Sequence, residues 1–329
     1  MEAFERARLD AYFTRVTSYF SPPERPAAFL ITHLLPERPA FVRAVAGATD
    51  LRAVLPKSKS VDADAQREIE SNGFVCDKLS RELFAEPDRA LRYIEARAEG
   101  RSVALLDVGG YFAPSIETLC SRFSGRIIGV VEDTENGHRR YAELGKLPCP
   151  VVSVARSPLK EPEDFLVGQS VVFSAEALMR SRGNILHGRT ALVIGFGKLG
   201  SSIARLLHAK GVRVTVHDID AVRRTQALAQ GFTVARSLAD GLGGAGLVLC
   251  ATGSVSLRGE DFSRLRNGAY VATNFLHGAS VGPFIFLVQA EILAASAVLA
   301  RGGLDAGMHE IGPADRATIA ATWLDYFNQ

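Results

Sequence analysis

At 329 residues the chain is long enough for two domains of ordinary size, each able to bury its own core. Its 38 Lys and Arg against 36 Asp and Glu leave it near neutral, and the basic pairs (Arg139 with Arg140, Arg223 with Arg224) form no stripe, which argues against nucleic acid as a partner. Cys76, Cys120, Cys149 and Cys250 have neither disulfide-framework nor zinc-ligand spacing, so no metal site is expected.

The first ten residues, MEAFERARLD, alternate charge and contain no apolar core. The expectation is a cytoplasmic protein without a secretory signal. In the first half, residues 28–33, 52–55, 103–107, 126–131 and 150–154 read as strands, with helices at 63–71 and 89–98 between them. That alternation is typical of a parallel α/β layer. Residues 172–182 read as a helix leading into the second half, where strands are expected at 191–195, 212–216, 233–235, 247–250 and 269–273. After Gly282 the pattern is helical to the C-terminus. The apolar run 281–300 has the length of a membrane span, but Pro283, Gln289 and Glu291 interrupt it, so it reads as a buried helix and no membrane partner is expected. The domains expected are 1–170, 171–280 and a helical segment, 281–329, packing back on the first.

The strongest local signal is ALVIGFGKLGSSIARLLHAKGVRVTVHDID. A strand at 191–194 runs into Gly195-Phe196-Gly197-Lys198-Leu199-Gly200 and opens a helix, the order a dinucleotide-binding βα turn requires. Gly195 makes the tight turn, Gly197 lets backbone approach a pyrophosphate, and Gly200 permits close helix–strand packing, while the helix N-terminus offers unpaired N–H groups to the anion. The second strand ends at Asp218, placed to accept hydrogen bonds from an adenosine ribose. An acid there repels a 2′-phosphate, so the cofactor is read as NAD and not NADP, although Arg223 and Arg224 nearby would suit the phosphorylated form. Thr252 and Gly253, after the strand at 247–250, would border the cofactor at the carboxyl edge of the sheet.

Other segments resemble S-adenosylhomocysteine hydrolase (adenosylhomocysteinase) in that family's order: LLDVGGYF at 105–112, GRIIGVVEDTENGHRRY at 125–141, VVSVARSPLKEPEDFLVG at 151–168, the glycine-rich region, and VATNFLHG at 271–278. The resemblance runs from about Ala104 to Gly278 and extends to 32–71. It implies an α/β protein with a Rossmann NAD-binding domain and a second, parallel-sheet α/β substrate domain. It also implies an enzyme whose tightly held NAD transiently oxidises a ribose hydroxyl, acidifying the neighbouring C4′–H so that a thiol leaves C5′. On this match Lys160, Asp164, His33 and Asp133 are the catalytic candidates, with Lys160 moving the hydroxyl proton. Lys160 and Asp164 also contact the sugar hydroxyls, and Glu37 and Asp133 complete the substrate contacts. Thr134, Asn274 and His277 join the glycine loop, Asp218, Thr252 and Gly253 as cofactor contacts. Read without the match, Lys160 and Asp164 belong to a solvated charged loop and His33 is a hydrogen-bonded structural histidine. Asp107 is read as a cap on the turn at Gly109 and Gly110.

The sequence departs from the family at informative places. Val108 stands where the family's Asp-Asp-Gly-Gly-Asp motif has an aspartate credited with acid–base work near C4′ and C5′, and Asp261 aligns with an expected histidine. Phe165 replaces an asparagine, and Glu135 and Asn136 replace threonines that approach the cofactor. The His-Pro-Ser-Phe segment and the Lys-and-Tyr tail of the family have no counterpart in these residues. The expectation is therefore a divergent, truncated member: an NAD-dependent enzyme, hydrolase, lyase or oxidoreductase, acting on a nucleoside or similar sugar-like small molecule. It would work as a homo-oligomer, a dimer, and would not perform ordinary S-adenosylhomocysteine hydrolysis. Two alternatives stay open, a catalytically silent NAD- or nucleoside-binding regulatory paralogue and a simple NAD-dependent dehydrogenase.

Overall fold

The computed structural model describes the whole chain except Met1, Leu79, Ser254, residues 273–280 and Gln329. In chain order the elements are α1 (Ala3–Tyr19), β1 (Ala27–Leu34), α2 (Arg38–Ala48), β2 (Asp50–Val61), α3 (Ala63–Ser71), α4 (Arg81–Ala85), α5 (Pro87–Ala98), β3 (Ser102–Asp107), α6 (Ile116–Arg122), β4 (Arg126–Glu132), α7 (Glu135–Glu143) and β5 (Pro150–Ser153). There follow α8 (Glu161–Ser181), β6 (Thr190–Ile194), α9 (Lys198–Ala209), β7 (Arg213–His217), α10 (Ala221–Ala229), β8 (Thr233–Val234), α11 (Leu238–Gly244), β9 (Leu247–Cys250) and β10 (Tyr270–Ala272). The last elements are α12 (Ile285–Arg301), β11 (Gly307–His309) and α13 (Pro313–Phe327). They form two units, Met1–Lys160 with Pro283–Gln329, and Glu161–Gly282.

The sheet of the first unit is parallel, with strand order β11-β5-β4-β3-β1-β2. Both faces are covered, so its strands are apolar throughout and alternate residues feed different cores. Leu30, Leu34, Val54, Leu106 and Val131 pack with α1, α2 and α12, while Phe29, Ile31, Leu55, Leu105 and Val130 pack with α5, α6 and Tyr141 of α7. The order β2-β1-β3-β4-β5 reverses direction between β1 and β3. In an open α/β sheet the crevice beyond the carboxyl ends at such a reversal is where ligands bind.

The second unit has a parallel sheet ordered β10-β9-β6-β7-β8, the dinucleotide-binding arrangement with its reversal between β6 and β9. Ala191, Val193, Val214 and Leu249 pack with α8 and α9 on one face, and Leu192, Ile194 and Val248 pack with Leu242 of α11 on the other.

Three differences from the sequence expectations have physical causes. The helix expected at 172–182 begins at Glu161, because Glu161, Glu163 and Asp164 form an acidic first turn that complements the helix dipole. The segment after Gly282 is not helical throughout: Gly307–His309 adds to the sheet as β11, pairing Met308 with Val151. The strand expected at 52–55 continues to Val61. Among the described residues, one stretch, Gly282–Arg301, has the length and apolarity to cross a membrane, and its Leu287, Ile292, Leu293 and Ala294 lie in the core of the first unit. Within it Glu291 is fully buried and meets Arg316 Nε at 2.9 Å.

Candidate functional site

In the second unit, β6 delivers the chain into the glycine loop. Gly195 has φ +94, in the left-handed region, and donates to His217 O at 2.7 Å. A Cβ at Gly200 would overlap Gly195 O, so the helix and the strand end can approach only with glycine there. Gly197 precedes α9, whose first residues are Lys198 and Leu199, and the atom nearest to a Cβ built on Gly197 is Arg223 Nη1 at 2.9 Å. Asp218 directly follows β7 and is nearly buried. Its Oδ2 accepts from Phe196 N at 2.6 Å and its Oδ1 from Asp220 N at 2.8 Å, which ties the acid to the glycine loop and leaves each oxygen a further lone pair. Thr252, whose hydroxyl bonds that of Ser256, and Gly253 follow β9 at the strand reversal. A glycine cradle that side chains would fill, a helix N-terminus and an acid beside them fit a dinucleotide. Arg223 donates to Phe196 O at 3.3 Å, which places the cation anticipated for a 2′-phosphate over the glycine loop. Asn274 and His277 lie outside the described residues.

Thr134, the remaining cofactor candidate, belongs to the first unit and has a structural task. Its hydroxyl caps α7 by accepting from Gly137 N at 3.0 Å and donates to Glu132 Oε1 at 2.8 Å.

The carboxyl edge of the first sheet gathers titratable groups. Lys160, at the end of a short 3₁₀ turn after β5, meets Asp133 Oδ1 at 3.1 Å, with side chains 12% and 14% exposed. Burial works to raise the Asp133 pKa, but Lys160, Lys57 and Arg38 together outweigh it and hold the carboxylate below its ordinary value. His33, near the end of β1, is pushed down to about 3, first by burial and then by Lys57 and Arg38, so its imidazole is neutral at physiological pH. Glu37 meets Arg38 Nη2 at 3.4 Å at the start of α2.

Beneath these groups lie two carboxyls that hold the loops. Asp107 accepts from Tyr111 N and Phe112 N, each at 3.0 Å, and from the Tyr141 hydroxyl at 2.8 Å. It caps the turn. Glu132 is fully buried and accepts from Gly109 N at 3.1 Å, Gly110 N at 2.8 Å and Thr134 N at 2.6 Å. Burial and Asp107 raise its pKa, and the bonds from Thr134 act against them. A Cβ at Gly137 would overlap the Glu132 carboxyl, which is why α7 can begin directly above it.

Asp164 lies in the first turn of α8, in the second unit, with Oδ2 3.6 Å from Lys198 Nζ. The sequence reading groups Lys160 and Asp164 as ribose contacts; Lys160 meets Asp133 and Asp164 meets Lys198. Three residues were missed: Lys57, Arg38 and Glu132. The available signal was position, since residues at the carboxyl ends of parallel strands face the ligand crevice.

Residues 167–293 match the family model described as "S-adenosyl-L-homocysteine hydrolase, NAD binding domain". These residues are similar to the NAD-binding domain of that family. The chain is 32% identical over 174 residues to the adenosylhomocysteinase of Thermotoga maritima, covering 51% of this chain and 42% of that protein. It is 29% identical over 177 residues to the S-inosyl-L-homocysteine hydrolase of Methanopyrus kandleri, covering 51% and 40%. The chain thus spans about two fifths of the length of these curated relatives. A phosphoglycerate oxidoreductase structure from Vibrio cholerae overlays with a TM-score of 0.44 and 14% identity across 78% of each chain. Over about half of its length the chain is similar to S-adenosylhomocysteine hydrolases, and the cofactor of its second unit is NAD.

The departures from the hydrolase pattern also have places. Val108 is buried in the core with Phe112 and Ile116, and Asp261 Oδ2 accepts from Arg258 N at 2.8 Å in a short 3₁₀ turn. The Phe165 ring is half exposed while its carbonyl accepts from Ser202 Oγ at 2.6 Å.

Proposed function

We propose that this chain is an NAD-dependent enzyme that oxidises a secondary hydroxyl of a nucleoside or similar sugar-like substrate, with the first unit taking the substrate. The observation that supports this most is the largely buried Lys160–Asp133 pair at the carboxyl edge of the first sheet, in a chain with a region similar to the family's NAD-binding domain. When bound, NAD accepts the carbon-bound hydrogen of the alcohol with its electron pair. The glycine loop from Gly195 to Gly200, Asp218, Thr252 and Gly253 would hold it. Lys160 moves the hydroxyl proton, and Asp133 orients its amine and offsets its ammonium form. His33, kept neutral, offers a ring nitrogen to the substrate without adding charge. Glu37 and Asp164 would position sugar hydroxyls.

The buried Val108 cannot exchange a proton, so the step after oxidation is proposed to be an elimination, epimerisation or other redox-neutral change and not thioether hydrolysis. Mass spectrometry of small molecules released by denaturing the freshly purified protein tests the reading. NAD together with a nucleoside-like molecule supports it and names the substrate class. NAD accompanied only by non-sugar alcohols, or by no molecule with an oxidisable hydroxyl even after incubation with nucleosides, contradicts it.

A further inference from the structure

The ladder between β1 and β2 breaks opposite His33. Thr32 pairs with Pro56, but Leu34 pairs with Val61, so residues 57–60 bulge from β2 where β1 advances by a single residue. Bulges of this kind re-aim side chains and gather beside functional sites. Lys57 is the first residue of the bulge. It is partly buried, and it is the largest charged influence on the His33 ring.

Asp133, Glu132 and Asp107 attract Lys57 from a distance, but their hydrogen bonds go elsewhere. Asp133 holds Lys160 and Glu37 holds Arg38, while Asp107 and Glu132 accept from backbone N–H groups and the hydroxyls of Tyr141 and Thr134. Among the described residues Lys57 makes no hydrogen bond or ion pair. Two further cations share these surroundings: Arg81 acts on Lys57, and Arg38 acts together with Lys57 on His33 and Asp133. Arg38 has a buried Nε without a partner, and Arg81, stacked 3.8 Å above the Tyr111 ring, has a buried Nη1 without one. A half-buried ammonium beside unsatisfied guanidinium nitrogens is costly unless an anion completes the arrangement.

We propose that Lys57, with Arg38 as a second cation beside His33, recognises a negatively charged substituent, a carboxylate or a phosphate, on the substrate of the first unit. The inference rests on the reading that this unit takes the substrate, and it narrows that substrate to an anionic one. The compact, rotatable ammonium of a lysine suits either group as a point charge, and the neutral His33 ring can share a hydrogen bond with it.

Calorimetric titration of the NAD-loaded full chain tests this with three probes: adenosine, adenosine 5′-monophosphate and S-adenosylhomocysteine. The wild type is expected to bind at least one charged probe roughly tenfold or more tightly than adenosine, and the identity of that probe separates phosphate from carboxylate. Lys57→Met should bring that ratio to about one, and Lys57→Arg should keep part of it. Equal binding of all three probes by the wild type, or a ratio unchanged in Lys57→Met, overturns the proposal. If none of the probes binds, the nucleoside reading fails and the anion site is judged by inorganic phosphate alone. Thermal stabilisation of the wild type by phosphate at constant ionic strength, absent in Lys57→Met, then supports the site, and equal behaviour of the two proteins overturns it.

Discussion

Lys160 Nζ stands 3.1 Å from Asp133 Oδ1, and neither side chain is more than 14% exposed. Removing one partner leaves the other charge largely buried. Lys160→Met and Asp133→Asn should each destabilise the protein by about 1–3 kcal/mol, while the double variant should lose less than the sum, because the two charges interact directly. Denaturant unfolding of the four proteins in a double-mutant cycle measures the coupling. Additive losses would show that the pair contributes nothing as a pair.

The glycine loop makes a separate prediction for the cofactor. Gly200→Ala places a methyl group on Gly195 O and should cost about 1–3 kcal/mol of stability as helix and strand are forced apart. Asp218→Ala removes the acid that anchors Phe196 N and is proposed to bind the ribose, and should weaken NAD binding roughly 10- to 100-fold. Its loss of affinity for NADP should be smaller, because the repulsion of a 2′-phosphate disappears with the acid. Fluorescence titration with both dinucleotides reads this change in preference.

Glu132 should be needed for the fold of the first unit and dispensable for NAD affinity. Glu132→Gln turns an acceptor that faces only donors into a group with an N–H₂ aimed at N–H groups, and should cost about 1–3 kcal/mol. Hydrogen exchange at Gly109 and Gly110 should rise in the variant while NAD titration is unaltered. Unchanged exchange at those two amides would remove Glu132 from its role as the tie between the two loops.

His33 imposes a pH dependence whose sign follows from its lowered pKa. The folded state keeps the ring neutral down to about 3, whereas the unfolded chain protonates near the ordinary 6.5. The unfolded state therefore binds more protons between those values, and the stability present above pH 6.5 is lost progressively as the pH falls toward 3. His33→Asn should flatten this part of the stability profile relative to wild type. Urea unfolding midpoints at pH 8 and pH 5 measure it, and parallel losses in both proteins would contradict the assignment.

Much of the fold was legible because both sheets are parallel and covered on both faces, so strands such as β1, β3 and β9 appear as short apolar runs between helical segments. The glycine loop was legible because the left-handed turn at Gly195 and the close approach of Gly200 to Gly195 O each demand a residue without a side chain. Asp107 was legible as a turn cap because two glycines follow it, and its bonds to Tyr111 N and Phe112 N have that form. By contrast β11 is three residues long with no β-branched side chain, and it pairs only through tertiary contact. Lys57 was hidden because it leaves the ladder, and strand periodicity cannot describe residues in a bulge. The acidic start of α8 looked like a solvated loop because charge alone does not separate a loop from a first helical turn.

The most direct test of the central claim is the appearance of the reduced-nicotinamide absorbance in the NAD-loaded protein when a panel of nucleosides and sugar-like alcohols is added, with Lys160→Ala run in parallel. At least one compound is expected to reduce bound NAD in the wild type and none in Lys160→Ala, while the NAD dissociation constant of the variant stays within about threefold of wild type. Reduction that persists undiminished in Lys160→Ala would contradict the role of Lys160. No reduction by any compound, despite tight NAD binding, would contradict the enzyme reading and favour a binding protein.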